Sequence, residues 1–390
     1  MRSDIRVTFM VLFSMIFLVV ACSNKETEDN LSDGIKKDSD LAGEKNQTEE
    51  ELIAIPTKME EILQYWPAEE WKRTSPESVG MDSALLQDMF DFIEKENIPM
   101  EGLLVVKDGY IVAEKYGGEY NQEVLHPIYS VTKSITSALV GVAIEQGKIN
   151  SVDDKVLNYL DDAKIENKNN WVEGLSIKRL LTMRSGIDFP EQTKRGFYQS
   201  DTWNQFMQAE DPAYFIMNRP IRKEPDFWNY STGDARVVSK VVQVATGQSL
   251  SDFARIHLFK PMGITDVEWP VDQSGTSYGG TGIMMKPRDI AKIGYLYLRN
   301  GRWEDKQIFP KGWVDESTKP YGDTNQNFDG DKYGYFLWLK SILGFNTFRG
   351  MGLYGQYMVI VPDLNLVVVQ TSSGMDVDPL LEKYIIPSIR

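Results

Sequence analysis

Tyr129-Ser-Val-Thr-Lys133-Ser-Ile-Thr-Ser-Ala-Leu-Val-Gly141-Val-Ala-Ile-Glu-Gln-Gly147 reads as a buried helix around which the rest of the chain is organised. Val131, Ile135, Leu139 and Val142 recur at helical spacing, small residues fill the gaps, and Gly147 stands where a C-terminal cap belongs. Ser130 and Lys133, three residues apart at the N-terminal end, share one face within a turn. A hydroxyl at a helix N-terminus with an ammonium beside it is a candidate nucleophile. The helix end favours a developing anion, and a desolvated lysine can take up a proton. Ser130 is the only serine in the chain with lysine at +3. Such a pair also arises by chance, so its meaning depends on what surrounds it.

Upstream, Ser83 to Asn97 places Leu85, Leu86, Met89, Phe90 and Ile93 on one side of an amphipathic helix. A hairpin follows: Gly102 to Lys107, the turn Asp108-Gly109, then Tyr110 to Lys115. Downstream, from Asn150 to about Gly280, the strand signal fades. Helices are expected at Ile177–Arg184, Asp234–Thr246 and Leu250–Phe259, then at Asp289–Arg299, several closed by glycine. Aromatic-rich loops are expected between Asp188 and Tyr230. The last third returns to strands at Tyr333–Ile342, Thr347–Arg349, Gln356–Val361 and Leu366–Thr371, with Pro362 to Asn365 as a turn and Pro379–Ile386 as a terminal helix. The expected fold class is α+β. A mostly antiparallel sheet is assembled from both ends of the chain and flanked by helices, and an all-helical region at about 150–280 is inserted between them.

The chain has 390 residues and a net charge of −15, without a basic stripe, which argues against nucleic acid as a partner. Arg2 and Arg6 precede an apolar run, Val7 to Val20, that is short for a membrane span. The run ends in Val19-Val20-Ala21-Cys22, which resembles a bacterial lipobox. Residues 1–22 therefore read as a lipoprotein signal peptide, with Cys22 as the lipidated residue and the membrane reached through that anchor. The expected location is extracytoplasmic. Cys22 is the only cysteine, so no internal disulfide or cysteine-based site is available. Residues 23–52 carry four Lys against ten Asp and Glu with few apolar side chains. The segment 23–60 reads as an acidic, disordered tether, and the folded domain as 61–390.

Only two histidines exist, His126 and His257, which leaves no H-E-x-x-H zinc site; neither a metal nor another cofactor is expected. His257 reads as a helix-packing residue and His126, one turn before Ser130, as structural or at the site's rim. Gly275-Thr-Ser277-Tyr-Gly279 matches G-x-S-x-G, but no apolar strand precedes it and no helix follows. It reads as a glycine-rich loop. A serine without histidine needs Lys or Tyr as its base. Tyr230, in Phe227-Trp-Asn-Tyr230-Ser-Thr232-Gly-Asp, stands just before a helix, where packing is the alternative role. Arg349-Gly350-Met351-Gly352 marks a strand approached closely by something else. An oxyanion hole needs two N–H donors, and those of Ser130 and Met351 are the candidates.

Together, Ser130-Val-Thr-Lys133, Tyr230-Ser-Thr232 and the stretch Gly350 to Pro362 resemble the serine β-lactamase and penicillin-binding-protein superfamily. The likeness is to its class C β-lactamase-like branch of esterases, D-amino-acid peptidases and 6-aminohexanoate-dimer hydrolases. Leu180-Leu-Thr-Met-Arg-Ser-Gly186, Phe259-Lys-Pro-Met-Gly263 and Pro287-Arg-Asp-Ile-Ala-Lys-Ile-Gly294 fit as well, and the resemblance spans roughly residues 70–390. It implies Ser130 as the acylated nucleophile, Lys133 as its base and Tyr230 as the proton carrier to the leaving group. Two departures bear on substrate. Thr232 stands where that family's second motif has Asn, and Arg349-Gly350 stands in place of the Lys-Thr-Gly that binds a substrate carboxylate. Thr232, Arg349 and Gly350 are thus the candidate substrate-binding residues. The expected activity is hydrolysis of a small ester or amide. A β-lactamase or DD-peptidase, and a cell-surface binding protein on the same fold, are the alternatives.

Overall fold

Asp108 and Gly109 fold the chain back on itself with φ of 52° and 83°, the left-handed geometry in which a two-residue loop matches the twist of its strands. They join β1 (Met100–Lys107) to β2 (Tyr110–Tyr116). The computed structural model describes residues 66–390 except 194–195, 198, 223–225, 323 and 325–330. The expected signal peptide with Cys22, and the tether up to residue 60, lie outside the described residues. The C-terminal third supplies β3 (Lys332–Tyr333), β4 (Trp338–Ile342), β5 (Phe345–Gly352), β6 (Gln356–Val361) and β7 (Leu366–Ser372). Across the sheet the order is β3-β4-β5-β6-β7-β1-β2, every pair antiparallel. The two halves of the chain meet at β7 and β1, with Leu104 opposite Val369 and Val106 opposite Val367.

Both faces of this sheet are covered, which explains the unbroken apolar run in β7. Val367 and Val369 point into one core and Leu366 and Val368 into the other, as the two-residue period of a strand requires. On the second face lie α1 (Ser83–Lys95) and the helical turns of Asp378–Ile385. Asp82 caps α1, accepting the Ala84 N–H at 3.0 Å. The first face carries α2 (Val131–Glu145), and the helical region adds α3 (Thr232–Thr246), packed against α2, before α4 (Pro287–Leu298) returns to the sheet. Gly147 and Gly247 follow α2 and α3 in left-handed conformation, as their positions in the sequence imply.

Two expectations are corrected. Tyr333–Ile342 is not one strand: Tyr333 pairs with Trp338 across a tight turn in which Phe336 has φ 55°. The Phe336 N–H donates to the Leu181 carbonyl at 3.0 Å, and its own carbonyl accepts from Ser134 Oγ at 3.0 Å, so tertiary bonds hold that turn. The aromatic segment between Asp188 and Tyr230 contains two helices, Asp201–Gln208 and Pro212–Met217. Ser200 and Asp211 cap them, and Phe189, Trp203 and Phe206 cluster between them as core.

Candidate active site

Every residue of α2 from Val131 to Ala143 is buried, so its polar side chains must find partners inside the protein. Two of them find partners in one loop distant in sequence. Thr136 Oγ1 donates to the Gly279 carbonyl at 2.7 Å, and Lys133 Nζ donates to the Gly280 carbonyl at 2.8 Å. A short three-stranded sheet brings these together: His126–Pro127 pairs with Met284–Met285, which pairs with Val267–Glu268. The segment read as a glycine-rich loop is therefore one wall of the lysine's pocket. Its Ser277 hydroxyl is bonded to Ser251 and is buried. It plays no part in the site.

Ser130 sits at the N-cap position of α2, yet its hydroxyl does not cap the helix. Instead Lys133 Nζ lies 3.0 Å from Ser130 Oγ. The preceding residue, Tyr129, is held at φ 45°, a conformation that costs a non-glycine residue about 1 kcal/mol or more, and its ring meets Tyr354 edge-on. Lys133 also lies 3.0 Å from Thr232 Oγ1, and its ammonium stands 4.7 Å above the Tyr230 ring. That ring in turn stacks on Trp338. Burial drives the Lys133 amine well below its ordinary value of 10.5, against the opposing pull of Glu191 and Asp234. A lysine made willing to lose its proton beside a serine hydroxyl has the chemistry to serve as a general base for that serine.

Beneath Thr232 lies a residue that the sequence does not single out. Glu191 is buried, and its carboxylate accepts both the backbone N–H and the hydroxyl of Thr232, the latter at 2.8 Å. Burial raises the Glu191 carboxyl above its ordinary range, while the charge of Lys133 and the Thr232 bond work the other way. Asp234 is pushed up to about 8 by burial, despite the Ser185 hydroxyl donating to it at 2.8 Å. Glu191 has no spacing or motif to betray it. Only its contact with Thr232 shows that the residue replacing the family's asparagine is itself held by a second side chain.

Ser130, Tyr230 and Met351 line one cavity of about 380 Å³, together with Trp338, Leu353, Tyr354, Tyr357, Met375 and Asp376. Strand β5 closes on the start of α2 here. A Cβ on Gly352 would stand 2.5 Å from the Ile128 carbonyl oxygen and 3.2 Å from the Ser130 nitrogen, and one on Gly350 2.8 Å from Ser134 Oγ. Glycine at both positions lets the strand approach, which brings the strand backbone around Met351 close to Ser130. Gly350 thereby serves helix packing and is not among the cavity's lining residues.

Arg349 also turns away from the cavity. Its Nη1 donates to Asp378 at 2.5 Å and its Nη2 to Asp331 at 2.7 Å, with Lys340 joining the same two carboxylates. The guanidinium is buried in this network and is committed to it. The structure thus brings Ser130, Lys133, Tyr230, Thr232 and Met351 together and leaves Arg349 and Gly350 outside. His126 is buried, bonded to Glu101 at 3.1 Å and stacked on Tyr120, while His257 packs on Phe253. Both have structural partners.

Comparison with known proteins places the fold and the family. The 6-aminohexanoate-dimer hydrolase of Paenarthrobacter ureafaciens is 23% identical over 295 residues, 71% of this chain and 74% of that protein. The octameric penicillin-binding protein homologue of Pyrococcus abyssi superposes with a TM-score of 0.61 at 20% identity, over 77% of this chain and 76% of its own. The D-stereospecific amidohydrolase of a Streptomyces species gives 0.57 at 16%, over 75% and 94%. The sequence profile of the beta-lactamase family matches residues 86–385. With that match, the shared fold and a serine–lysine pair at the base of the cleft, the chain belongs to the beta-lactamase family as a serine hydrolase.

Proposed function

We propose that this protein hydrolyses a small, uncharged ester or amide through an acyl-enzyme on Ser130. The observation that carries the reading is the buried Lys133 amine 3.0 Å from Ser130 Oγ at the edge of a largely apolar cavity. In the first half-reaction Ser130 Oγ attacks the substrate carbonyl carbon and gives its proton to Lys133. The carbonyl π pair moves onto oxygen, where the N–H groups of Ser130 and Met351 receive it. Tyr230 relays the proton held by Lys133 to the departing alcohol or amine as the tetrahedral centre collapses, which restores the free amine. Water then repeats the sequence on the ester carbonyl and frees Ser130.

The substrate's charge follows from the lining. A penicillin or a peptide C-terminus presents a carboxylate, and the one arginine placed by sequence to receive it is tied to Asp331 and Asp378. The carboxylate on the cavity wall is instead Asp376, which disfavours an anion. Losing a charge-assisted hydrogen bond costs about 1.5–3 kcal/mol, or roughly 10- to 100-fold in turnover. Incubation with a short-chain nitrophenyl ester, a fluorophosphonate and a chromogenic cephalosporin separates the readings. The expected result is a fluorophosphonate adduct on Ser130, with ester hydrolysis exceeding cephalosporin hydrolysis by at least that ratio. Faster cephalosporin turnover would establish the β-lactamase alternative instead.

The reading includes an extracytoplasmic, membrane-tethered enzyme, supported by the lipobox-like Val19-Val20-Ala21-Cys22 and the acidic segment after it. Full-length protein should partition into the detergent phase of a cell extract and take up labelled fatty acid, and Cys22→Ser should lose both. A wild-type chain recovered unlabelled in the aqueous phase removes the anchor from the proposal.

A further inference from the structure

We propose that Glu191 is a positioning residue for acyl transfer: it holds the Thr232 hydroxyl proton, so that Thr232 can only accept from Lys133 and the lysine lone pair is left facing Ser130. The inference rests on the serine-hydrolase reading above and assigns a role that the family comparison does not supply.

The argument counts protons. A threonine hydroxyl has one proton to donate. Glu191 takes the Thr232 N–H with one oxygen, and its second oxygen lies 2.8 Å from Thr232 Oγ1. In its ionised form Glu191 only accepts, so in that state the Thr232 proton is committed to it. Thr232 Oγ1, 3.0 Å from Lys133 Nζ, must then accept from the lysine. The Gly280 carbonyl, 2.8 Å from Nζ, can also only accept. Two of the three neighbours of the amine are thereby fixed as acceptors. When Lys133 gives up one proton, its two remaining N–H bonds stay with Gly280 and Thr232, and the lone pair points at the third neighbour, Ser130 Oγ, 3.0 Å away. Of these three hydrogen-bond neighbours, Ser130 is the one with a proton to offer. An asparagine at position 232 would aim its amide oxygen at the lysine without help, because an amide oxygen never donates. Threonine can turn either way, and Glu191 removes the choice.

The groups facing this amine come from several elements. Glu191 lies behind Thr232, Asp234 is on α3, the Tyr230 ring lies over Nζ from the segment before α3, and Tyr333 on β3 faces Glu191 and Asp234. Burial raises both the Glu191 and Asp234 carboxyls, and each, when ionised, favours the protonated form of Lys133, Glu191 the more strongly.

Glu191→Gln tests the inference in the full-length protein. The glutamine oxygen keeps the Thr232 N–H, but its amide nitrogen now donates to Thr232 Oγ1. The threonine proton then turns to the lysine and competes for the lone pair meant for Ser130. Ester kcat and the rate of fluorophosphonate labelling should both fall roughly 30- to 100-fold, with KM within about twofold. The acid limb of kcat/KM should move to lower pH, because the charge that raises the Lys133 pKa is gone. In a Thr232→Val background the same Glu191→Gln change should cost less than about threefold, since no hydroxyl remains to turn. Thr232→Ser should retain activity. Thermal melting of each variant checks folding, and if Glu191→Gln does not fold, Thr232→Ser against Thr232→Val carries the test alone. Equal losses for Glu191→Gln in both backgrounds, an unmoved pH profile, or equal activity of Thr232→Ser and Thr232→Val overturns the role of Glu191. Wild-type protein that takes no adduct at Ser130 overturns the acyl-enzyme reading itself, a separable result.

Discussion

Ser130→Ala is expected to abolish the fluorophosphonate adduct and lower ester hydrolysis by at least ~10⁴-fold, the usual cost of removing a covalent nucleophile. The variant should remain folded. Ser130 Oγ caps no helix, and its described hydrogen-bond partner is Lys133, which keeps Thr232 and Gly280. Lys133→Met removes the amine while keeping most of the side chain's length and should lose a comparable factor. The two changes disable one unit, so the double variant should be little worse than either single one. Additive losses would mean that Ser130 is activated by another group. The measurements are steady-state kinetics on a nitrophenyl ester and intact-protein mass after labelling.

Arg349→Ala should leave the acylation chemistry intact and strike stability instead. The guanidinium is buried between Asp331 and Asp378, and removing it strands two carboxylates with only Lys340 to compensate. Breaking a buried ion pair from one side costs about 3–5 kcal/mol. For a domain of this size that is a fall in Tm of roughly 4–7 °C. At a temperature where the variant is folded, KM for an anionic and for a neutral ester should change by the same factor. A selective rise in KM for the anionic ester, without loss of Tm, would return Arg349 to the substrate site. Differential scanning calorimetry and paired kinetics decide it.

The distance between what was legible and what was not follows the range of the interactions. The hairpin at Asp108-Gly109, the covered strand Leu366–Ser372 and helix α2 are written in residues a few positions apart. Their periodicity and turn residues can be read directly. The break at Gly334–Leu337 escaped because β-rich residues on both sides hide a turn held by Leu181 and Ser134. The helices at Asp201–Gln208 and Pro212–Met217 escaped because each is short, although Ser200, Asp211 and Pro212 are start signals in plain view. The glycines at 279 and 280 were seen as a loop, but no spacing connects them to a lysine 147 positions earlier.

By itself the sequence determined the candidate reaction centre. Three residues are slightly less than one helical turn, so Ser130 and Lys133 had to share a face of any helix that contained them, and the scarcity of histidine and cysteine left that pair as the candidate nucleophile and base. Tertiary structure alone decided how the pair is tuned and what it is denied. Glu191 reaches Thr232 across 41 residues, and Arg349 is drawn from the cleft by Asp378, 29 residues on. A hydrogen bond or ion pair between distant segments leaves no period in the chain. Its existence depends on where the sheet and helices bring those segments to rest.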